Sequence, residues 1–274
     1  RKVIVIYRKH TMLQNKYSVL SFSGGMDSTS LLLKLLKEDN IVHAISFKYG
    51  QKHQIEVDLA SKNISYLRNN GFEDRIVHKI FDISNILSQF NSSLTDKSQN
   101  IPEGHYESEN MKSTFVPNRN SIFFSLIYGY AISSLKDFSD KVLISIGAHS
   151  GDHVIYPDCR VDFFKQLFHA FQIGNWDSDK VELYLPYIDM DKKDILHDAQ
   201  ESVEYLNLDF DTVFKNTITS YNPDQNGLSS GRTGSDIERI LAFNYINKKD
   251  PIQYQKPWED VVKHALKVEK EFIK

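Results

Sequence analysis

Apolar and polar positions along the chain follow two alternating patterns, short apolar runs and longer segments with apolar residues at helical spacing. The apolar runs predict strands over residues 2–7, 17–22, 41–49, 76–81, 141–147 and 183–187. Helical spacing predicts helices from residue 29 and over residues 54–70, 121–135, 161–171, 192–206, 237–248 and 258–273. Because strands alternate with helices, the pattern predicts an α/β fold with an open, mainly parallel sheet and helices on both faces.

The pattern divides the chain into two regions of different character. Residues 1–210 carry the predicted strands and form a predicted α/β domain, whereas residues 211–274 form a small C-terminal helical region. Two long polar stretches interrupt the pattern, at residues 84–112 and 222–235. Since long loops in compact domains are commonly functional, residues 84–112 are interpreted either as a substrate lid or as a surface loop.

A turn rich in glycine and serine joins the strand over residues 17–22 to the helix that follows. Its sequence, S-G-G-M-D-S over residues 23–28, matches neither G-x-x-x-x-G-K-[ST] nor G-x-G-x-x-G. A strand, a glycine turn and a helix in this order direct backbone N–H groups and the positive helix end toward an anion. We therefore predict a phosphate-binding turn, in which Asp27 either caps the helix or helps to hold a metal. The predicted phosphate-binding residues are Phe22, Ser23, Gly24, Gly25, Asp27, Ser28 and Thr29.

Composition limits the classes of protein to which the chain can belong. The 274 residues are 41% hydrophobic and 25% charged, which is typical of a soluble protein with a sizeable core. A formal net charge of -3 argues against an overall basic nucleic-acid-binding protein. The single cysteine, Cys159, excludes an internal disulfide, and no apolar run has the length of a membrane span. These features favour a cytoplasmic protein with no membrane partner and no direct nucleic-acid partner.

Three further stretches accompany the phosphate turn. They read F-K-Y-G-Q-K-H at residues 47–53, F-V-P-N-R-N at residues 115–120 and Y-P-D-C-R at residues 156–160. In this order and at this spacing, the four motifs resemble the 7-cyano-7-deazaguanine synthase (QueC) family of the PP-loop ATP pyrophosphatase superfamily. The phosphate turn is shared across the superfamily, whereas the first and third stretches are fairly specific to the family. The resemblance implies a PP-loop, adenine nucleotide alpha hydrolase-like fold for residues 1–210.

The resemblance also implies a reaction, that of an ATP-dependent carbon–nitrogen ligase in queuosine biosynthesis that uses ATP and Mg²⁺. The carboxylate of 7-carboxy-7-deazaguanine attacks the α-phosphate of ATP, and pyrophosphate leaves. Ammonia then displaces AMP to give the amide, and a second ATP drives conversion of the amide to the nitrile, 7-cyano-7-deazaguanine (preQ0). The sequence is compatible with a homodimer but does not fix the oligomeric state.

Residues within the matched motifs acquire roles from the same resemblance. The predicted catalytic residues are Asp27, Arg119, Arg160 and Lys192, and the predicted substrate-binding residues are Tyr49, Gln51, Phe115, Asn118, Arg119, Asp158 and Arg160. The arginines suit a carboxylate or a phosphate because their paired N–H donors match its oxygen atoms. Structural alternatives stay open, since the arginines can form salt bridges within the fold and the lysine can lie on the surface. Aromatic residues on strands are commonly core residues, and Asp158 can orient Arg160 instead of binding substrate.

One stretch departs from the family pattern. The family carries one cysteine in T-x-T-C-Y and three more in C-x-x-C-x-x-C, and four thiolates at this spacing bind a structural zinc. Here residues 217–221 read T-I-T-S-Y, and counting from Ser220 places the other three positions at Ser229, Arg232 and Ser235. Hydroxyl groups are poor zinc ligands and arginine is not one, so we expect no metal site here. Hydrogen bonds are expected to hold the loop instead, and Asp236, which follows Ser235, is expected to cap the next helix.

Three functions remain open from the sequence. The first is the nitrile synthesis described above. In the second, a diverged QueC-like enzyme of an anti-phage system joins a deazaguanine to a protein amine in place of ammonia. In the third, the chain is a non-catalytic module that binds a nucleotide or a deazaguanine, although the intact S-G-G-x-D-S turn argues against it. Pyrophosphate release separates an enzyme from a module, and the mass of the product separates a nitrile from a conjugate.

Overall fold

A computed structural model of the chain describes residues 16–50, 55–90, 92, 103–105, 109–135, 141–217 and 228–272. The strands in this part of the chain are β1 (Lys16–Ser21), β2 (Asn40–Lys48), β3 (Ile76–Asp82), β4 (Val142–Ser145) and β5 (Val181–Tyr184). The first helices are α1 (Met26–Lys37), α2 (Ile55–Leu67), α3 (Ser84–Leu87), α4 (Arg119–Ser134) and α5 (Ser150–Ile155). They are followed by α6 (Val161–Gly174), α7 (Lys192–Tyr205), α8 (Phe210–Lys215), α9 (Gly234–Tyr245) and α10 (Trp258–Phe272). The strand predicted over residues 2–7 lies outside the described residues.

The five strands form one parallel sheet with the order β3-β2-β1-β4-β5. β1 lies at the centre and pairs with β2 on one side and β4 on the other, so that Leu20 lies between Ala44 and Ser145. From β1 the chain first builds the sheet outward through β2 and β3, then returns to add β4 and β5 on the opposite side. In an open parallel sheet, ligands bind at such a reversal, beyond the carboxyl ends of the strands.

Buried apolar clusters cover the two faces of the sheet. On one face, Leu20 and Val42 pack with residues of α1, α2 and α7. On the other face, Val19 and Ile144 pack with residues of α4 and α6. Neighbouring residues of β1 enter opposite clusters because successive side chains of a strand point to opposite faces. The predicted α/β class, with a parallel sheet and helices on both faces, is confirmed.

Observed and predicted elements differ mainly at their ends. β5 ends at Tyr184, because Pro186 follows shortly and has no N–H group with which to extend the strand pairing. α9 begins at Gly234, earlier than predicted, because Thr233 and Asp236 form a reciprocal cap at its start. The short helices α5 and α8 were not predicted, since neither is long enough to show a helical period. No helix among the described residues is long and apolar enough to cross a lipid bilayer.

The helices that follow residue 210 pack onto the α/β part of the chain. Phe210 and Phe214 of α8 and Phe243 of α9 belong to the same buried cluster as the apolar residues of α1 and α7. A buried ion pair fixes α9 further, because Arg239 donates to Asp250 through Nε at 2.6 Å and through Nη2 at 2.9 Å. The boundary predicted at residue 210 stays a prediction, and the packing across it is continuous.

Part of the long polar stretch predicted over residues 84–112 contacts the C-terminal helices. The N–H group of Gly104 donates to the carbonyl oxygen of Arg232 at 3.1 Å. His105 stacks on Phe272 of α10 and lies 2.9 Å from the Glu269 carboxylate. Residues 103–105 are therefore attached to the C-terminal region. The alternatives of a lid and a surface loop stay predictions, since much of the stretch lies outside the described residues.

Candidate active site

The phosphate turn places the amino end of α1 at the carboxyl edge of the sheet, directly after β1. Gly25 precedes α1, and no side chain caps the helix there. Ser23 stabilises the turn, because its Oγ accepts the N–H of Gly25 at 3.2 Å and lies 3.0 Å from Oγ of Ser28. An uncapped amino end, at the positive end of the helix dipole, is well suited to bind a phosphate.

Backbone conformation and packing both require a glycine at position 24. Its φ of +79° lies in the left-handed region, and a Cβ at this position would lie 2.6 Å from the Cβ of Ala60 on α2. The absence of a side chain therefore lets the turn pack against α2. Gly25, by contrast, lines the cavity described next, which matches the predicted close approach of a phosphate.

A cavity of about 250 Å³ opens beside the phosphate turn. It lies where the sheet order reverses, at the carboxyl ends of β1, β2 and β4. The predicted site residues that line it are Ser23, Gly25, Asp27, Ser28, Tyr49, Arg119 and Lys192. Residues that also line it but were not predicted include Ser46, Glu56, Phe123, His149, Asp152 and Ser235. Motifs that are distant in sequence thus converge on one cavity.

Lys192 is a buried cation at this cavity. It begins α7, its side chain is 7% exposed, and its Nζ lies 3.4 Å from Oδ2 of Asp27 and 3.1 Å from Oε2 of Glu238. Burial alone would lower the pKa of Lys192, but the carboxylates of Asp27, Glu238 and Asp152 outweigh burial and raise the pKa above its ordinary value. The ammonium group therefore stays charged at neutral pH beside the amino end of α1.

Arg119 and Tyr49 form a second polar group in the cavity. The guanidinium carbon of Arg119 lies 5.9 Å from the centroid of the Tyr49 ring, and its Nε donates to Oδ1 of Asn120 at 3.3 Å. Burial and the Glu56 carboxylate raise the pKa of Tyr49 to about 12, although Arg119 opposes the shift. Tyr49 is therefore a neutral phenol at physiological pH, and it lies next to a permanently charged guanidinium group.

Asp158 and Arg160 lie outside the cavity lining. Asp158 is buried in a 3₁₀ turn over Pro157–Cys159, and burial raises the pKa of its carboxyl group although Arg119 opposes the shift. The side chain of Asn120 donates to the carbonyl oxygen of Asp158 at 3.3 Å, which ties this turn to α4. Arg160 is exposed at the amino end of α6. The structure therefore brings Asp158 close to Arg119, whereas Arg160 is not among the described residues that line the cavity.

The remaining predicted residues occupy varied surroundings. Phe22 is fully buried in the core beneath the turn, so its side chain serves packing. Phe115 is half-buried against the cluster of Tyr156 and Cys159. Asn118 is exposed and precedes α4 with a left-handed φ of 58°. Gln51 lies outside the described residues, and the roles predicted for these positions stay predictions.

Several polar residues at the site were not predicted, for two different reasons. His149 and Asp152 follow β4 as the phosphate turn follows β1, so their position at the carboxyl end of a strand was a usable signal. Glu56 lies three residues after the F-K-Y-G-Q-K-H motif and carried a similar signal. Glu238 carried no such signal in the sequence, because only the packing of α9 brings it to Lys192.

The side chains present fit a magnesium–nucleotide complex at the phosphate turn. Oδ1 of Asp27 is buried and makes no hydrogen bond within the described part of the chain, whereas Oδ2 faces Lys192. A buried carboxylate oxygen without a partner suits Mg²⁺, which prefers oxygen ligands and is commonly held by one or two carboxylates together with substrate phosphates. Asp27 is therefore the residue that would hold this cation.

The turn before α9 is organised by hydrogen bonds to the carboxylate of Asp236. Ser229 donates to Oδ1 at 2.6 Å, and Ser230 donates to Oδ2 at 3.1 Å. The backbone N–H groups of Arg232 and Thr233 each donate to Oδ2 at 3.2 Å. The same aspartate forms the reciprocal cap of α9, so it links the turn to the helix.

This turn does not fit a zinc ion, because it offers hydroxyl groups and a single carboxylate. Across the described residues, no group of three or more His, Cys, Asp or Glu side chains is placed to hold a metal. Of the positions counted from the sequence, Ser229 and the N–H group of Arg232 donate to Asp236, and Oγ of Ser235 lies 3.1 Å from Oγ1 of Thr233. Ser220 lies outside the described residues, so the correspondence of these positions to the family's cysteines stays a prediction.

Two relatives that are similar to this chain in sequence carry the same name, and one family model matches most of the chain. The family model for the queuosine biosynthesis protein QueC matches residues 17–247. The 7-cyano-7-deazaguanine synthase 2 of Colwellia psychrerythraea is 41% identical over 240 residues, which cover 87% of this chain and 99% of that protein. The 7-cyano-7-deazaguanine synthase of Hahella chejuensis is 42% identical over 246 residues, which cover 89% of this chain and 96% of that protein. A solved structure of the NH3-dependent NAD synthetase of Campylobacter jejuni is 17% identical, with a TM-score of 0.38, and covers 94% of this chain and 86% of that chain.

Proposed function

Because the chain belongs to the family of queuosine biosynthesis protein QueC, we propose that it is an ATP-dependent carbon–nitrogen ligase that makes 7-cyano-7-deazaguanine from 7-carboxy-7-deazaguanine. The observation that carries this proposal is the uncapped amino end of α1, which adjoins a cavity lined by Asp27 and Lys192. That arrangement suits a nucleotide triphosphate, because it combines N–H donors, a cation and a carboxylate for Mg²⁺. Location in the cytoplasm and a homodimer stay predictions.

ATP binding is assigned to the phosphate turn and Lys192. The turn supplies backbone N–H groups and the hydroxyls of Ser23 and Ser28, and Lys192 supplies a charged ammonium group. With ATP bound at the turn, these groups would meet the negative charge that develops on the phosphate oxygens, and they are in place before the reaction. Asp27 would hold Mg²⁺, which would neutralise charge on the phosphates.

Substrate binding is assigned to the part of the cavity around Tyr49. Phe47 and Phe123 stack with ring centroids 4.2 Å apart, and Tyr49 packs edge-on to Phe123 at 5.5 Å, which gives an apolar wall for a flat heterocycle. Arg119 suits the carboxylate of the substrate. Glu56 lies close enough to raise the pKa of Tyr49, and its carboxylate suits the N–H groups of the deazaguanine edge. Asp158, for which substrate binding and orientation of Arg160 were both open from the sequence, does not line the cavity.

The reaction proceeds in two activations that consume two ATP. In the first, an oxygen of the substrate carboxylate bonds to the α-phosphorus and pyrophosphate leaves, which gives an acyl-adenylate. The nitrogen of ammonia then bonds to the acyl carbon, loses a proton, and displaces AMP to give the amide. In the second, the amide oxygen bonds to the α-phosphorus of another ATP and pyrophosphate leaves, and loss of AMP and of the two amide protons then gives the nitrile.

The test follows the products of ATP with purified protein, Mg²⁺, ammonium and 7-carboxy-7-deazaguanine. We expect AMP and pyrophosphate together with a product of the nitrile mass. Asp27→Ala should lower turnover by about 100-fold or more while the far-UV circular dichroism is retained, because the Mg²⁺ ligand is lost. Asp260→Ala is the matched control, since Asp260 is an exposed carboxylate on α10.

The products also separate the proposed function from its alternatives. Release of ADP and phosphate would contradict the proposal, and so would an absence of pyrophosphate release, which would indicate a binding module. A deazaguanine found attached to a protein amine would indicate the diverged activity in which such an amine replaces ammonia. Both activities pass through the same adenylate, so Asp27→Ala should abolish either one.

A further inference from the structure

Glu238 brings a carboxylate from the C-terminal region to the predicted catalytic lysine. It lies on α9, and its Oε2 is 3.1 Å from Nζ of Lys192. On the phosphate turn, Oδ2 of Asp27 is 3.4 Å from the same nitrogen. The Lys192 side chain is 7% exposed, so water screens these ion pairs only weakly. The ammonium group therefore lies between carboxylates of α1 and α9.

The carboxylate of Glu238 is confined by its surroundings. A Cβ built on Gly151, at the start of α5, would lie 2.7 Å from Oε1 of Glu238. The start of α9 is fixed by the reciprocal cap between Thr233 and Asp236 and by the hydrogen bond from Ser229 to Asp236. The turn before α9 thus determines where the Glu238 side chain lies. A shift of this turn would move the carboxylate relative to Lys192.

A lysine at a phosphate site benefits from such support. Its ammonium group is carried on a flexible four-carbon stem, and fixing the stem costs side-chain entropy. Charged partners that hold Nζ before the ligand arrives remove part of that cost from ligand binding. They also keep the cation in place while charge develops on the phosphates. Two carboxylates from different elements define the position of Nζ better than one.

We propose that Glu238 is a positioning residue that holds Nζ of Lys192 beside the phosphate turn, where the ammonium group meets the phosphates of ATP. The inference rests on the proposed function for the identity of the ligand. The competing explanation is an ion pair that only stabilises the fold. The two explanations differ in whether loss of Glu238 affects ATP binding and turnover through Lys192.

A double-mutant cycle of Glu238→Gln and Lys192→Met tests the proposal. In the native background, Glu238→Gln should lower kcat/KM for ATP by about tenfold or more, because Lys192 loses a buried, charged partner. In the Lys192→Met background, the same substitution should change kcat/KM by less than about twofold. Glu259→Gln, an exposed carboxylate on α10, is the matched control and should leave the kinetics unchanged. Far-UV circular dichroism checks that each variant folds.

The same cycle measured as the Kd for ATP by calorimetry does not depend on the acceptor or on turnover. A larger effect of Glu238→Gln on the Kd in the native background than in the Lys192→Met background would support positioning, even if the native protein made no nitrile. In that case the ligase reaction alone would be refuted. Suppose that the native protein forms product. The positioning role would then be overturned if Glu238→Gln lowered kcat/KM for ATP by the same factor in both backgrounds, or if Glu238→Gln had native kinetics. A folded native protein that does not bind ATP would refute both proposals.

Discussion

Gly24 meets two constraints at one position of the phosphate turn. Its backbone lies in the left-handed region, and a Cβ at this position would lie 2.6 Å from the Cβ of Ala60 on α2. A glycine is the residue that satisfies both, because any side chain adds strain at positive φ and a clash with the neighbouring helix. The geometry of the turn thus depends on the packing of α2 as well as on its own sequence.

Gly24→Ala is expected to lower the free energy of unfolding by about 2–4 kcal/mol, because the added methyl group strains the backbone and displaces Ala60. Urea denaturation followed by circular dichroism measures the loss. Gly129→Ala is the matched control, since Gly129 is exposed within α4 and a Cβ there meets nothing within 4 Å. Gly129→Ala should raise the free energy of unfolding by about 0.5–1 kcal/mol. Equal changes in the two variants would contradict the assigned role of Gly24.

The residues of the site differ in how far the sequence predicts them. Asp27 and the glycines were predictable because their roles come from a local turn of six residues. Tyr49 and Arg119 were predicted from motifs, but the charge state of Tyr49 depends on burial and on Glu56, which only the folded chain supplies. Glu238 was not predictable, since no local pattern encodes its distance from Lys192.

Among the elements, the turn before α9 is organised by hydrogen bonds to a single carboxylate. Asp236 accepts hydrogen bonds from two serine hydroxyls and two backbone N–H groups. These bonds connect residues 229–236 and fix the first turn of α9. A carboxylate with four donors forms a strong local network, because hydrogen bonds to charged groups are stronger than those between neutral groups.

Metal removal should leave the stability of the protein unchanged. We expect elemental analysis to find no stoichiometric zinc, and EDTA to leave the unfolding temperature as it is in the absence of nucleotide. Asp236→Ala should instead lower the free energy of unfolding by about 1–3 kcal/mol, because four donors lose their acceptor. The exposed Asp260→Ala is the control for loss of a carboxylate. One tightly bound zinc per chain at this turn would refute the expectation.

The elements themselves were largely predictable, and their ends were less so. The five strands and the long helices carry strong periodic signals, so their presence and order were predicted from the sequence. The early start of α9 depends on the cap between Thr233 and Asp236, and α8 packs through Phe210 and Phe214 in a segment too short for a period. Ends and short helices are set by caps and tertiary contacts, which a periodic pattern does not contain.

At the scale of the whole molecule, the sheet and the C-terminal helices share one apolar core. Phe214 and Phe243 pack in the cluster that also contains Leu32 of α1 and Leu196 of α7. The buried pair of Arg239 and Asp250 ties α9 to the segment that follows it. The C-terminal region therefore covers one face of the α/β part of the chain and contributes to its stability.

A chain cut after residue 210 is expected not to fold cooperatively, because the cut exposes the apolar cluster beneath α8 and α9. Urea denaturation and near-UV circular dichroism would show a broad transition and weak tertiary signals. A chain of residues 1–257 is the control, since it lacks only α10, whose buried Val261 and Ala265 belong to a smaller separate cluster. The control should unfold cooperatively at a lower urea concentration. A sharp transition for residues 1–210 would contradict the shared core.

The ion pair between Lys192 and Glu238 also has a consequence for translation. Asp27 emerges from the ribosome roughly 200 residues before Glu238, an interval of about 10–40 s at ~5–20 residues per second. Throughout this interval the nascent chain carries the phosphate turn, but the carboxylate on α9 has not yet been synthesised. Under the proposed positioning role, a chain synthesised only as far as α8 lacks a charged partner of Lys192, so full competence of the site is expected only once α9 has been made.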